Sequence, residues 1–163
     1  MSGIDRLLDN ARGYARAFSG GDLPAQPRLG VAVVACMDAR VNVYAILGLA
    51  EGDAHVIRNA GGVITEDAIR SLVISQRLLG TTEIMLIHHA DCGMRSFRDD
   101  ELKAQIEADT GIRPPWSPEA FTDAAADVRQ SARRIKASPF LPHTGNVRGF
   151  VYDEKAGELA EVT

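Results

Sequence analysis

The chain has 163 residues, 45% of them hydrophobic and 25% charged, with a net charge of −4. These values match one average globular domain and exclude disordered, collagen-like and low-complexity classes. No basic field is available for nucleic acid or an anionic membrane, and the longest wholly apolar run, Val31 to Met37, falls far short of the ~20 residues that span a bilayer.

Ile4, Leu7, Leu8, Ala11, Tyr14, Ala15 and Phe18 follow the helical i, i+3, i+4, i+7 spacing, and Gly20-Gly21 ends the helix. With the linker that follows, residues 1–27 read as a helical arm, packed either on its own domain or on another subunit. The same segment carries Asp5, Arg6, Asp9, Arg12 and Arg16, so no secretory signal is expected. The two cysteines, Cys36 and Cys92, then point to a reducing compartment, with cytoplasm as the expectation.

Val31–Cys36 is a continuous β-branched run, as in a strand buried on both faces. A short helix over Val41–Leu49, a strand over Ala54–Arg58, a helix over Glu66–Leu79 capped by Thr65, and a strand over Glu83–His88 follow. The pattern continues with a helix over Asp99–Asp109, a Pro-rich loop over Ile112–Pro118, and a long helix capped by Ser117 with Pro118 at its first position. Val147–Tyr152 and Leu159–Val162 flank Lys155-Ala156-Gly157 as a hairpin. The alternation predicts a single α/β domain over residues 1–163, with a mostly parallel central sheet flanked by helices.

In such sheets ligands bind beyond the carboxyl ends of the strands. Those ends read Cys36-Met37-Asp38-Ala39-Arg40, Arg58-Asn59-Ala60-Gly61-Gly62 and His88-His89-Ala90-Asp91-Cys92-Gly93. Cys36, His89 and Cys92 form a Cys2His set, which with one open position suits a catalytic zinc. Two lone cysteines are otherwise small buried hydrophobes, but Asp38 and Arg40 beside them do not enter a core unpaired, so a site explains all five residues better.

Cys36-x-Asp38-x-Arg40 and His89-x-x-Cys92, with Arg58-Asn59-Ala60-Gly61-Gly62 between them, resemble the β-class carbonic anhydrases, in particular the compact prokaryotic branch. The resemblance runs from about Val31 to Tyr152. It implies a zinc lyase that hydrates carbon dioxide reversibly to bicarbonate and a proton through a zinc-bound hydroxide. It also implies Cys36, His89 and Cys92 as Zn2+ ligands, Asp38 and Arg40 as the catalytic dyad, and an arm reaching over a partner in a homodimer or tetramer. His88, on the opposite strand face, then becomes a packing residue, and Asp91 a polar turn residue. Two thiolates cancel the charge of zinc, so Asp38 is expected to orient the reactive water while Arg40 keeps Asp38 ionised and turned from the metal. Freed from Arg40, Asp38 becomes a possible fourth ligand in a closed state. Ala60, Gly61 and Gly62, followed by Val63 and Ile64, are expected to wall a small uncharged substrate. Some members of the family carry a tryptophan on the first strand for a regulatory bicarbonate; here that strand has none, and Trp116 lies in the Pro-rich loop.

A hydrolase of carbonyl sulfide or carbon disulfide on the same zinc site is the alternative, and a non-catalytic zinc protein a further one. A nucleotide-binding fold is disfavoured, since no GxGxxG or GxxxxGK[ST] follows any strand.

Overall fold

Residues 2–163 are described in a computed structural model. Ser2 caps the first helix, α1 (Gly3–Ala17): its Oγ accepts the Asp5 N–H at 3.1 Å while the Asp5 carboxylate accepts the Ser2 N–H at 2.7 Å. None of its residues is buried, and Ile4, Leu7, Leu8, Tyr14 and Phe18 lie open to solvent.

The β-branched run forms β1 (Val31–Cys36), followed by the single-turn α2 (Val43–Leu47), β2 (Ala54–Asn59), α3 (Glu66–Arg77) and β3 (Glu83–His89). Thr65 caps α3 through its hydroxyl, which accepts the Ala68 N–H at 3.2 Å. After α4 (Asp99–Thr110), the helix α5 (Ala124–Lys136) leads to the hairpin of β4 (Val147–Asp153) and β5 (Glu158–Glu161).

The five strands lie in the order β2-β1-β3-β4-β5, all parallel except the β4–β5 pair. Ala32, Val34, Ile84 and Leu86 face α3 and α5, where Leu72, Val128, Ala132 and Ile135 complete the main core. Val33, Ala35 and Ile87 face the other way, onto Val41 and Val43 at the start of α2. The mostly parallel α/β sheet read from the sequence is therefore the observed architecture.

The last helix corrects one expectation. Ser117 does not cap α5 and Pro118 does not begin it; Asp123 is the cap, its carboxylate accepting the Ala126 N–H at 2.9 Å. The Ser117–Ala120 segment is bound instead to Asp99 at the start of α4. Ser117 Oγ donates to that carboxylate at 2.9 Å, and the Glu119 and Ala120 N–H groups donate to it at 3.2 and 2.7 Å. Glu119 is left at φ 62°, which no helix continues through.

β1 is followed by β2 on one side and, after a crossover, by β3 on the other. The strand order thus reverses between β1 and β3, and at their carboxyl ends a doubly wound sheet opens a crevice.

Candidate metal centre

Cys36 is the last residue of β1, His89 the last of β3, and Cys92 precedes a single 3-10 turn over Gly93–Arg95. All three are buried, and one ligand atom from each lies within 4.8 Å of the others. The Cys36 and Cys92 sulfurs are 3.9 Å apart. Two thiolates on a tetrahedral zinc stand about 3.8 Å apart, from the usual Zn–S length and angle, so the sulfur pair has the required span. His89 Nε2 is buried and has no hydrogen-bond partner, an unusual state for an imidazole nitrogen and the one a metal ligand would occupy. The three residues could hold a zinc ion.

The two thiols titrate as a pair. The hydrogen bond from Cys92 is the main reason that the Cys36 pKa falls to about 4; burial opposes it, and contacts from His89 and from the Asp38 and Gly61 backbone add to it. The same bond to Cys36, together with burial, pushes the Cys92 thiol up. A shared proton between close sulfurs gives a site already predisposed to carry negative charge toward a cation.

Asp38 and Arg40 lie beside the cluster. The guanidinium spans the carboxylate, Nε to Oδ1 at 3.0 Å and Nη2 to Oδ2 at 2.8 Å, and the Arg40 N–H adds a third bond to Oδ1 at 2.9 Å. This bidentate pairing holds the Asp38 pKa well below the usual carboxylate range and the Arg40 pKa above its own. Asp38 Oδ2 lies 3.9 Å from His89 Nε2, so the carboxylate faces the cluster while its charge is engaged by Arg40. The i, i+2 spacing brings both residues together within the loop that leaves β1.

Ala60, Gly61 and Gly62 form a tight turn after β2. Gly61 contributes its backbone to the Cys36 sulfur. Gly62 is buried at φ 69°, and a Cβ there would stand 2.9 Å from the Cys36 nitrogen. Ala60 is half-buried and borders a cavity of about 310 Å3 that Arg58, Asn59, Val63 and Trp116 also line. Val63 packs with Cys36 and Cys92, whereas Ile64 belongs to the main core.

Three participants were not assigned from the sequence. Arg58 donates to the Cys36 carbonyl at 3.0 and 2.7 Å and to the Asp38 carbonyl at 2.8 Å, fixing the loop after β1. Asp91, read as a plain turn residue, receives Arg40 Nη1 at 2.8 Å. Glu154, just past β4, hydrogen-bonds His89 Nδ1 and accepts the Asp91 N–H at 3.0 Å. Arg58 lies in the Arg58-Asn59-Ala60-Gly61-Gly62 motif; nothing local marks Glu154, which reaches the site only because β3 and β4 pair with His89 opposite Tyr152. His88 faces away, as strand alternation requires: Nε2 meets Asp127 at 2.7 Å and the ring packs on Phe121. His55 is held by Ser75 at 2.7 Å and His143 is exposed in a loop.

Residues 31–159 match the family model described as carbonic anhydrase. The chain is 57% identical over 163 residues to beta-carbonic anhydrase 1 of Mycobacterium tuberculosis, covering 100% of this chain and 99% of that protein. A crystal structure of carbonic anhydrase from Streptococcus mutans superposes with a TM-score of 0.93 at 40% identity, covering 100% of this chain and 99% of the other. A carbon disulfide hydrolase of Saccharolobus solfataricus is 33% identical over 182 residues, 96% of this chain and 87% of that protein.

Proposed function

Since this chain belongs to the β-carbonic anhydrase family, we propose that its Cys36–His89–Cys92 cluster holds zinc and that Asp38 and Arg40 serve the reaction beside it. The protein is an enzyme of carbon dioxide hydration, a lyase. The observation that supports the zinc site is the buried, unpartnered His89 Nε2 set within reach of two sulfurs at tetrahedral span.

Bound there, zinc supplies Lewis acidity that makes a water nucleophilic near neutral pH. The protein's own residues provide the rest. Asp38, ionised and anchored by Arg40, presents an acceptor on the His89 side of the cluster, where it would orient the proton of the reacting water. Arg40 engages both oxygens of that carboxylate; were the pair to break, Asp38, whose Oδ2 lies 3.9 Å from His89 Nε2, would be available as a fourth ligand and would close the site. Arg58 and the Gly61–Gly62 turn fix the Cys36 backbone, and Ala60, Gly61 and Gly62 are proposed to wall the side from which a small uncharged substrate arrives, Ala60 bordering the cavity there.

The greater identity to a carbonic anhydrase, 57% against 33% to a carbon disulfide hydrolase, favours carbon dioxide over carbonyl sulfide or carbon disulfide. We place residues 1–27 as an arm on a single domain. The open apolar face of α1 supports a homodimer or tetramer. Among the described residues no helix is long and apolar enough to cross a membrane, and the paired free cysteines support a cytoplasmic setting.

Stopped-flow hydration of carbon dioxide and metal analysis on one purified sample test the reading, with carbon disulfide and carbonyl sulfide assayed in parallel. One zinc per chain with rapid hydration is expected. A metal-replete sample that hydrolyses carbon disulfide but leaves carbon dioxide unhydrated would overturn the substrate assignment.

A further inference from the structure

The Glu154 carboxylate is nearly enclosed, its side chain 7% exposed, at the start of the turn that joins β4 to β5. That turn is braced by Asp153, whose side chain accepts the Lys155 and Ala156 N–H groups at 2.8 and 3.0 Å and whose carbonyl accepts the Gly157 N–H at 2.8 Å. Ala90 N–H donates to the Tyr152 carbonyl at 2.9 Å, so the ends of β3 and β4 stay paired up to the site. Glu154 is therefore delivered by a rigid element.

Its contacts converge on the cluster. One oxygen bonds His89 Nδ1 and also accepts the Asp91 N–H at 3.0 Å; the other stands 3.3 Å from that N–H. Arg40 Nη2 is 4.0 Å away, and the same guanidinium holds both Asp38 and the Asp91 carboxylate. A carboxylate can only accept, so Nδ1 carries a proton; in the neutral imidazole that a metal ligand must be, the lone pair then sits on Nε2, the buried nitrogen without a hydrogen-bond partner.

From this arrangement we infer that Glu154 is a positioning residue, which fixes the tautomer and ring orientation of His89 and holds the turn carrying Asp91 and Cys92 in register with the Asp38–Arg40 pair. The inference rests on the reading of Cys36, His89 and Cys92 as zinc ligands. Carboxylate partners of this kind raise the basicity of a ligating imidazole, and their loss typically weakens metal binding about 10–100-fold. Glu154 acts on affinity through His89 and on the dyad through Asp91; it does not touch substrate.

The test uses the full-length protein. Zinc affinity is measured by competition with a chromophoric chelator, and the visible spectrum is recorded after cobalt substitution, for the wild type, Glu154→Ala, Glu154→Leu, Glu154→Gln and Cys36→Ser. Glu154→Ala and Glu154→Leu are expected to bind zinc about 10–100-fold more weakly and to shift the cobalt bands. Glu154→Gln, which keeps an oxygen acceptor, is expected to restore most of both. Nitrogen-15 NMR of the histidines in the chelated, metal-free wild type, at a pH where the imidazole is neutral, is expected to show His89 protonated on Nδ1, since no metal then dictates the tautomer. Unchanged zinc affinity and cobalt bands in Glu154→Ala and Glu154→Leu, or His89 protonated on Nε2, would overturn the role of Glu154 while Cys36→Ser still lost its metal. If Cys36→Ser kept its zinc, the ligand assignment itself would fall. The NMR measurement decides the matter even if a variant fails to fold.

Discussion

Arg40 holds both carboxylate oxygens of Asp38, at 3.0 Å from Nε and 2.8 Å from Nη2, while Nη1 reaches Asp91 at 2.8 Å. A planar guanidinium can satisfy this fork and a third acceptor at once; an ammonium cannot. The geometry thus makes Arg40 the element that decides where the Asp38 charge points. Arg40→Ala is expected to retain zinc but lower kcat/KM for hydration about 10²-fold through loss of orientation, with Arg40→Lys intermediate. Wild-type kinetics in Arg40→Ala would remove Arg40 from the mechanism.

Asp38→Ala takes away the oriented acceptor without touching a sulfur or the imidazole. Zinc content is expected to remain near one per chain, whereas hydration activity falls by about 10²-fold or more. Parallel loss of metal and activity would mean that Asp38 serves the metal site rather than the chemistry.

Chelation should expose the cluster. Cys36 and Cys92 are the chain's only cysteines and are both buried. The zinc-loaded enzyme is expected to react slowly with a disulfide reagent, and the chelated enzyme to release two thiol equivalents under native conditions and to melt at a lower temperature, since a metal that binds only the folded state stabilises it. Cys36→Ser and His89→Ala are expected to purify without stoichiometric zinc. Equal thiol reactivity before and after chelation would place the metal elsewhere.

At Gly62 the backbone is both left-handed, φ 69°, and pressed on its neighbours. An added Cβ would lie 2.9 Å from the Cys36 nitrogen, 3.0 Å from the Ala35 carbonyl carbon and 3.1 Å from the Ile87 oxygen. All three are main-chain atoms of central strands and cannot swing aside. Gly62→Ala is expected to cost about 1–3 kcal/mol of stability, read by urea denaturation, and to weaken zinc retention by displacing Cys36. An unchanged midpoint would show that the strand ends yield more readily than their packing implies.

Asp99 gives a pH dependence outside the site. Burial raises its pKa, but the N–H groups of Ala120 and Glu119 and the Ser117 hydroxyl outweigh that effect and leave it below the ordinary 3.8. A carboxyl with a depressed folded-state pKa stabilises the fold above its unfolded pKa and loses that contribution as pH falls through the folded value. The urea midpoint of the wild type is therefore expected to exceed that of Asp99→Asn at pH 7, with the gap narrowing below 3.8. A gap that stays constant on acidification would assign the difference to packing.

Much of this protein was legible from local pattern. The β-branched run of Val31–Cys36, the Thr65 cap and the alternation of strands with helices depend on neighbouring residues, and they produced the parallel sheet. Cys36, Asp38, Arg40, His89 and Cys92 were visible because each lies at or just beyond a strand end, within spacings short enough to read. What a local window could not contain was decided by the closed chain. The α5 start moved from Ser117 to Asp123 because Asp99, on a different helix, bound the intervening loop. Asp91 became a partner of Arg40, and Glu154 a partner of His89, because the β1–β3–β4 register set distant segments side by side. Periodicity and capping act over one or two turns of chain, whereas a hydrogen bond to a buried nitrogen goes to whichever group the packed sheet brings within 3 Å or so, whatever its place in the sequence.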